Sequence, residues 1–388
     1  MNADKTREFA KARRLFPHAG KTVYFNSASY GPFCRPVEKA ITDNLKLRLE
    51  ATRDDTRMAM ASGEALRAGY AKMIGASKKD VGLGLNTSFG LNVAAFGLPL
   101  KKGDEILVSD LEFPAIIYTW QAAAKQRGLK VRVVESTDRC FDIDALKKAI
   151  TARSRVVSVS FVQFFNGFKL DLKEISLLCK KHGMYLVVDG IQGVGVETLD
   201  VKKAGIDILS CGCQKWLLGP QGCGFFYLSE EIRDSLANPF MSYLGVDWKM
   251  QYSDMWRYNL TPFDSARRFE LGYYVILNML GMKASCDIIS ALGVRNIQSH
   301  NHTLLDRLID FIKTDTTYTI TSRLEGRHRS SILSFTCDNV QALHKAIIRH
   351  KILLSLREGS IRVSAHLFNN AADIDRLIKV LKRFSAKR

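Results

Sequence analysis

The chain has 388 residues, of which 46% are hydrophobic and 25% charged, a globular balance with room for one large and one smaller domain. Its formal charge is +18, yet the basic residues occur in short pairs such as Arg13-Arg14, Lys101-Lys102, Lys180-Lys181 and Arg267-Arg268, with no nucleic-acid-binding motif, so no nucleic-acid partner is expected. No run approaches the ~20 apolar residues of a membrane span, and the amino terminus MNADKTREFAKARRLF lacks a signal-peptide core, so a cytoplasmic protein without membrane contact is expected.

The first 20 residues read as a helix and linker, and Thr22–Phe25 as a short strand leading into the polar loop Asn26-Ser-Ala-Ser-Tyr-Gly-Pro32. A helix is expected over 35–53. Val81–Leu85 is a strand, followed by Asn86-Thr87-Ser88-Phe89-Gly90 and an apolar helix start. A hydroxyl there caps the helix, and the free N–H groups make an anion site. Two hydroxyls beside a glycine suit a phosphate cradle better than capping alone. Asp104–Val108 is a strand, ending in Ser109-Asp110-Leu111-Glu112-Phe113-Pro114. Helix 114–127, strand 130–134, helix 141–150 and strand 155–161 follow. Beyond them Gln163 and Asn166 are both candidates for contacting cofactor or substrate, and the sequence does not choose between them. Leu170–His182 reads as a helix.

The chain is organised around 184–227, MYLVVDGIQGVGVETLDVKKAGIDILSCGCQKWLLGPQGCGFFY. Met184–Val188 is too short for a free helix and reads as a buried parallel strand, with Asp189 at its carboxyl end, where α/β sheets bind ligands. A second strand, Ile206–Ser210, leads to Lys215, flanked by Trp216 and a glycine-proline turn. Burial would lower the pKa of that lysine and make its amine nucleophilic, as Schiff-base chemistry requires. A strand-end aspartate paired with such a lysine points to pyridoxal 5′-phosphate, which needs an amine for its aldehyde and an anion for its ring nitrogen. Cys211, Cys213 and Cys223 lack the paired C-x-x-C spacing of zinc sites, so no metal is expected, and the eight scattered cysteines suggest no disulfide framework.

The carboxy-terminal part alternates long helices (275–292 and 294–313) with short strands (318–322, 331–336, 352–355 and 360–364) and helices at 339–349 and 371–385. Arg362 stands between Ile361 and Val363 on an apolar strand. Its planar guanidinium suits a carboxylate held through two parallel hydrogen bonds.

The run D-G-x-Q-x-x-G followed by Q-K-W-L-L-G-P-x-G-x-G-F resembles the class V aminotransferase family, which contains cysteine desulfurases, kynureninase and isopenicillin N epimerase. The resemblance covers nearly the whole chain. It implies an α/β protein of the pyridoxal-phosphate transferase fold type I, with a mostly parallel large-domain sheet flanked by helices and a smaller α+β C-terminal domain. The expected divisions are an N-terminal arm at 1–20, a large domain at 21–264 and a small domain at 265–388. Site roles follow from the matched motifs. Lys215 is the catalytic Schiff-base lysine. Thr87, Ser88 and Gln214 face the phosphate, Phe113 stacks on the ring, Asp189 meets its nitrogen and Gln192 its 3′-oxygen. Arg362 holds the substrate α-carboxylate, and Asn26 lies at the mouth of the site.

The resemblance also implies a homodimer acting on an amino acid, with Tyr273 where the family has a threonine that reaches the partner's phosphate. The expected activity is aminotransferase-like chemistry at the α-carbon, with C–S lysis or epimerisation as alternatives. A desulfurase carrying persulfide on a mobile cysteine is disfavoured, because Lys351–Ser360 reads KILLSLREGS and contains no thiol.

Overall fold

A computed structural model describes residues 3–51, 55–247, 261–272 and 274–386, together with the single positions 253, 256 and 258. Tyr273 lies outside the described residues. The helices are α1 (Ala3–Arg14), α2 (Arg35–Leu49), α3 (Asp55–Ile74), α4 (Thr87–Gly97), α5 (Pro114–Arg127), α6 (Ile143–Ala149), α7 (Leu172–Lys181), α8 (Val201–Ala204), α9 (Glu230–Arg233), α10 (Ile276–Leu292), α11 (Val294–Thr314), α12 (Val340–Arg349) and α13 (Ala371–Ser385). The strands are β1 (Val23–Tyr24), β2 (Val81–Gly84), β3 (Glu105–Ser109), β4 (Lys130–Val134), β5 (Ser154–Ser160), β6 (Tyr185–Asp189), β7 (Ile208–Gly212), β8 (Gly224–Leu228), β9 (Thr319–Ile320), β10 (Ile332–Thr336), β11 (Ile352–Leu353), β12 (Ser355–Arg357) and β13 (Ser360–Ser364).

The large sheet runs β2-β8-β7-β6-β5-β3-β4. From β7 to β4 every pairing is parallel, while β8 is antiparallel to both β7 and β2. Parallel strands are covered by helices on both faces, which explains why β3 and β7 are buried at every position and are largely apolar, without inside-outside alternation. The helices between them begin and end on local signals. Asp171 caps α7 by accepting from Glu174 N at 3.1 Å, α5 opens with Pro114, and Gly128 ends α5 with φ +66°. These connections bring the ends of β3, β5, β6 and β7 to one edge. The site is built there.

The small sheet runs β12-β13-β10-β9, all antiparallel. It is backed by α11, α12 and α13 around Leu308, Phe335, Leu343, Ile361 and Leu377. Asn370 and Asp373 form a capping box that starts α13.

Two segments cross the expected divisions. β1 pairs in parallel with β11, so Val23 and Phe25 join the small domain's core. α10 packs on α2 and α3, with the large sheet's helices. α3 and β8 were not foreseen as elements. Among the described residues no helix is long and apolar enough to cross a membrane.

Candidate active site

Asp189 ends β6, 2% exposed, and one of its oxygens accepts from Ile191 N at 2.9 Å. No cation forms an ion pair with it among the described residues. Burial raises its pKa to about 6, against the opposing pull of Lys215. Lys215 follows β7 in a turn closed by Leu218 N donating to its carbonyl at 3.1 Å. Leu218 holds φ +57°, a conformation unusual for a branched side chain and typical of strained functional loops. Burial lowers the Lys215 pKa to about 8; Asp189 acts in the opposite sense, while Arg362 lowers it further. Its Nζ lies 5.5 Å from the centroid of Phe113, whose ring is 42% exposed to the site.

The backbone of this turn is held from two sides. Gly31 N donates to Gln214 O at 2.8 Å, and a Cβ at Gly31 would lie 2.2 Å from Lys215 O. Only glycine allows that approach. Opposite, the fully buried His366 reaches Trp216 O through Nε2 at 2.8 Å, while its Nδ1 accepts from Leu367 N at 2.8 Å. Burial lowers the His366 pKa to about 4, so the ring is neutral and Nε2 carries the donating hydrogen.

At the start of α4, Asn86 caps Phe89 N at 3.0 Å, which leaves the N–H groups of Thr87 and Ser88 without an acceptor among the described residues. Thr87 Oγ1 accepts from Gly212 N at 2.9 Å, which frees its hydroxyl hydrogen to point elsewhere. Beside it the Gln214 amide oxygen is buried with no partner, and a Cβ on Gly212 would come within 2.5 Å of that oxygen. The result is a glycine-lined cradle of unsatisfied donors and amide at a helix N-terminus.

These features fit pyridoxal phosphate. A buried carboxylate lacks a cation, an amine sits below its ordinary pKa, a ring is available for stacking, and unpaired N–H groups stand at the start of α4. Two expected residues are engaged differently. Gln192 donates through Nε2 to Ala28 O at 3.0 Å and accepts from Trp216 Nε1 at 2.9 Å, so a single amide N–H remains for any other acceptor. Asn166 donates to Arg139 O at 2.7 Å and accepts from Phe168 N at 3.0 Å, so its amide serves a turn. Gln163, by contrast, keeps a buried amide oxygen without a partner.

Arg362 comes from β13 in the small sheet and is 2% exposed. Its Nε donates to Ser355 Oγ at 3.0 Å, Nη2 to Ser29 Oγ at 2.6 Å, and Nη1 to Phe164 O. Three of five N–H groups are thus used, and one remains on each terminal nitrogen. No carboxylate lies within ion-pair distance among the described residues, and burial lowers its pKa to about 9. A buried guanidinium without an anion is costly. Asn26 Oδ1 is likewise buried and unpartnered.

Ser29, Ser355 and Glu112 were missed. Ser355 was findable, since it faces Arg362 across the β12–β13 ladder. Glu112 is 7% exposed, accepts from Ser160 N and Oγ and from Gln163 Nε2, and has its pKa raised to about 7 by burial. The signal was an acid between Leu111 and Phe113 at a strand end. Cys213 and Cys223 touch through their sulfurs behind the Lys215 turn and donate to the carbonyls of Pro220 and Cys223, a packing role.

The Aminotransferase class-V profile matches residues 23–377. A probable cysteine desulfurase of Methanothermobacter thermautotrophicus is 28% identical, with 96% of this chain and 97% of that protein covered. The apo cysteine desulfurase of Thermococcus onnurineus superimposes with a TM-score of 0.86 at 23% identity, covering 98% of each chain. A mutant of C-DES with glycine covalently linked to its PLP cofactor superimposes with a TM-score of 0.87 at 20% identity, covering 96% of this chain and 98% of that one. At those identities the two structures establish a shared fold.

Proposed function

The chain belongs to the class-V aminotransferase family of pyridoxal-phosphate enzymes, and on that premise we propose that it acts at the α-carbon of an amino acid, with Lys215 as its catalytic base. One observation carries the reading. Lys215, whose pKa burial lowers to about 8, lies near enough to Arg362 to feel its charge, and Arg362 is a buried cation that lacks an anion among the described residues. An amine that can give and take a proton beside a guanidinium that wants a carboxylate describes an α-amino acid.

When bound, pyridoxal phosphate supplies an aldehyde for the amine and a ring that accepts the electron pair released at the α-carbon. Lys215 Nζ would take the proton from the substrate α-carbon. Asp189 keeps a proton on the ring nitrogen by its negative charge. Thr87 and Ser88, with their free N–H groups and hydroxyls, would hold the phosphate, and Gln214 could join them only through its amide N–H. Phe113, 5.5 Å from Lys215 Nζ, would stack on the ring and shield it from water. Arg362 grips the α-carboxylate through its two remaining N–H groups and so aims the Cα–H bond at Nζ. Gln192 acts mainly by holding Trp216 and Ala28 in place, and its one free N–H would be available to the ring's 3′-oxygen.

Transamination is the branch we favour over persulfide transfer. β12 and β13 are joined by Glu358-Gly359 alone, a tight turn with no thiol to receive sulfur. We also propose a homodimer. Leu85 and Val275 are 48% and 46% exposed beside a groove lined by Leu83, Phe89, Leu271 and Met279, next to the Thr87 cradle, and a second copy would cover them.

The test is solvent exchange of the α-proton in deuterated water, followed by product analysis. Amino acids should exchange, and the corresponding amines without a carboxylate should not. Keto acid as product supports transamination, while pyruvate with sulfide from cysteine would replace it by C–S lysis. Exchange of simple amines at equal rates would overturn the assignment of Arg362.

A further inference from the structure

Arg362 shares its hairpin with a second arginine. In the β12–β13 ladder Ser355 stands opposite Arg362, and Arg357 opposite Ser360. Side chains alternate faces along a strand and agree across a pair, so Ser355, Arg357, Ser360 and Arg362 share one face. That face looks into the site, because from it Arg362 reaches Ser29 and Phe164. Arg357 therefore lies on the inward face, farther out than Arg362 and exposed. Among the described residues it has no carboxylate, carbonyl or ring as partner. Its charge acts on both Lys215 and Arg362, lowering each.

The tip that carries Arg357 is pinned. Glu358 and Gly359 turn the hairpin with φ +45° and +76°. A second turn, with Asp138 and Arg139 at φ +51° and +57°, meets it, and Arg139 Nη2 donates to Glu358 O at 3.0 Å. The Arg139 guanidinium in turn lies over Phe165, 5.0 Å from its centroid. Phe165 packs edge-on against Phe164, and Phe164 against Phe113, with centroids 5.6 and 5.4 Å apart. The inner wall between Phe113 and the hairpin is thus aromatic, suited to a short methylene stem. At its outer end stand two cations, Arg139, already engaged by Phe165 and Glu358 O, and Arg357, which has no such partner among the described residues. A solvated arginine on an outer face needs no explanation; this one faces inward on a fixed support, and the α-carboxylate already has its own arginine.

We propose that Arg357 binds a second anionic group on the substrate side chain, so that the preferred substrates are acidic α-amino acids whose stem ends in a carboxylate, sulfinate or sulfonate. The inference rests on the amino-acid reading above and deepens it.

The experiment compares isosteric pairs on the cofactor-loaded enzyme, aspartate with asparagine and glutamate with glutamine, by α-proton exchange. Cysteine sulfinate and cysteate extend the acid series. The acid should exceed its amide in kcat/KM by about tenfold to hundredfold, the value of a charge-assisted pair at a partly exposed site, with the difference mostly in KM. Arg357→Gln should bring the acid-to-amide ratio close to one, and Arg357→Lys should restore part of it. Inhibition by succinate and by butyrate supplies a readout without turnover. Succinate should bind more tightly to wild type, and that advantage should shrink in Arg357→Gln. A wild-type ratio near one, or a ratio unchanged in Arg357→Gln, would overturn this inference while leaving the amino-acid reading intact. Absence of exchange with every amino acid would instead overturn the reading beneath it.

Discussion

The two halves of the site are built in opposite ways. On the large-sheet side, Asp189 and Lys215 sit at adjacent strand ends, pressed between Gly31 and His366, with a carboxylate and an amine that partly balance each other. On the small-sheet side, Arg362 and Arg357 are two cations on one hairpin, neither ion-paired among the described residues. The first half is electrostatically near closure and needs only a group that joins its amine to its acid. The second is open by charge and waits for a ligand of opposite sign. A covalently held cofactor belongs with the first half, and an exchangeable substrate with the second.

The largest effect should come from the closed half. Lys215→Ala removes the proton carrier and should slow α-proton exchange on the order of 10³-fold, measured by NMR, while substrate carboxylates still compete for Arg362. Loss of that competition together with the exchange would blur the division between the halves. Asp189→Asn keeps shape but removes charge, and should cost on the order of a hundredfold in the same assay.

The pH dependence sharpens the point. Covalent capture of pyridoxal phosphate needs a neutral Lys215, favoured above about 8, and an ionised Asp189, favoured above about 6. The capture rate should therefore climb from pH 6 through 8 and then level. In Asp189→Asn the component of the rise near 6 should vanish. A rate falling with pH in that window would contradict both assignments.

On the open half, Arg362→Lys keeps the charge but loses the fork. It should lower kcat/KM for amino acids about tenfold to hundredfold and leave capture of the cofactor unchanged. Reduced capture would mean that the two halves are not separable.

The smallest effect tests the seam. Gly31→Ala forces a methyl against Lys215 O, and overpacking of this kind costs about 1–3 kcal/mol. The Tm should fall, and capture should slow through displacement of the turn. An unchanged Tm and capture rate would show that the Asn26–Pro32 loop does not set the position of Lys215.

The same contrast explains what could be read from the sequence. The closed half was legible because β6 and β7 are short apolar runs ending in chemistry, Asp189 and the Gln214-Lys215-Trp216 turn, and parallel burial leaves such runs no other reading. The strand bearing Arg362 was legible from its apolar flanks, Ile361 and Val363, within an antiparallel sheet. What lies between elements was not. Nothing local says that Gln192 would give its amide to Ala28 and Trp216, or that β1 would leave its sequence neighbours to pair with β11. α3 carries small residues throughout, Ala59, Ala61, Gly63, Ala65 and Ala68 among them, and its apolar stripe is too thin to announce a helix. Arg357 was visible only as part of a thiol-free stretch, and its inward direction required the ladder register.

The central claim is that Lys215 is the amine of the closed half. Borohydride reduction of the cofactor-loaded protein, digestion and peptide mass mapping test it directly. The account predicts one pyridoxyl-phosphate adduct, on the peptide containing Lys215, and none on that peptide or elsewhere in Lys215→Ala. A stoichiometric adduct on a different lysine, or one that survives in Lys215→Ala, would contradict it.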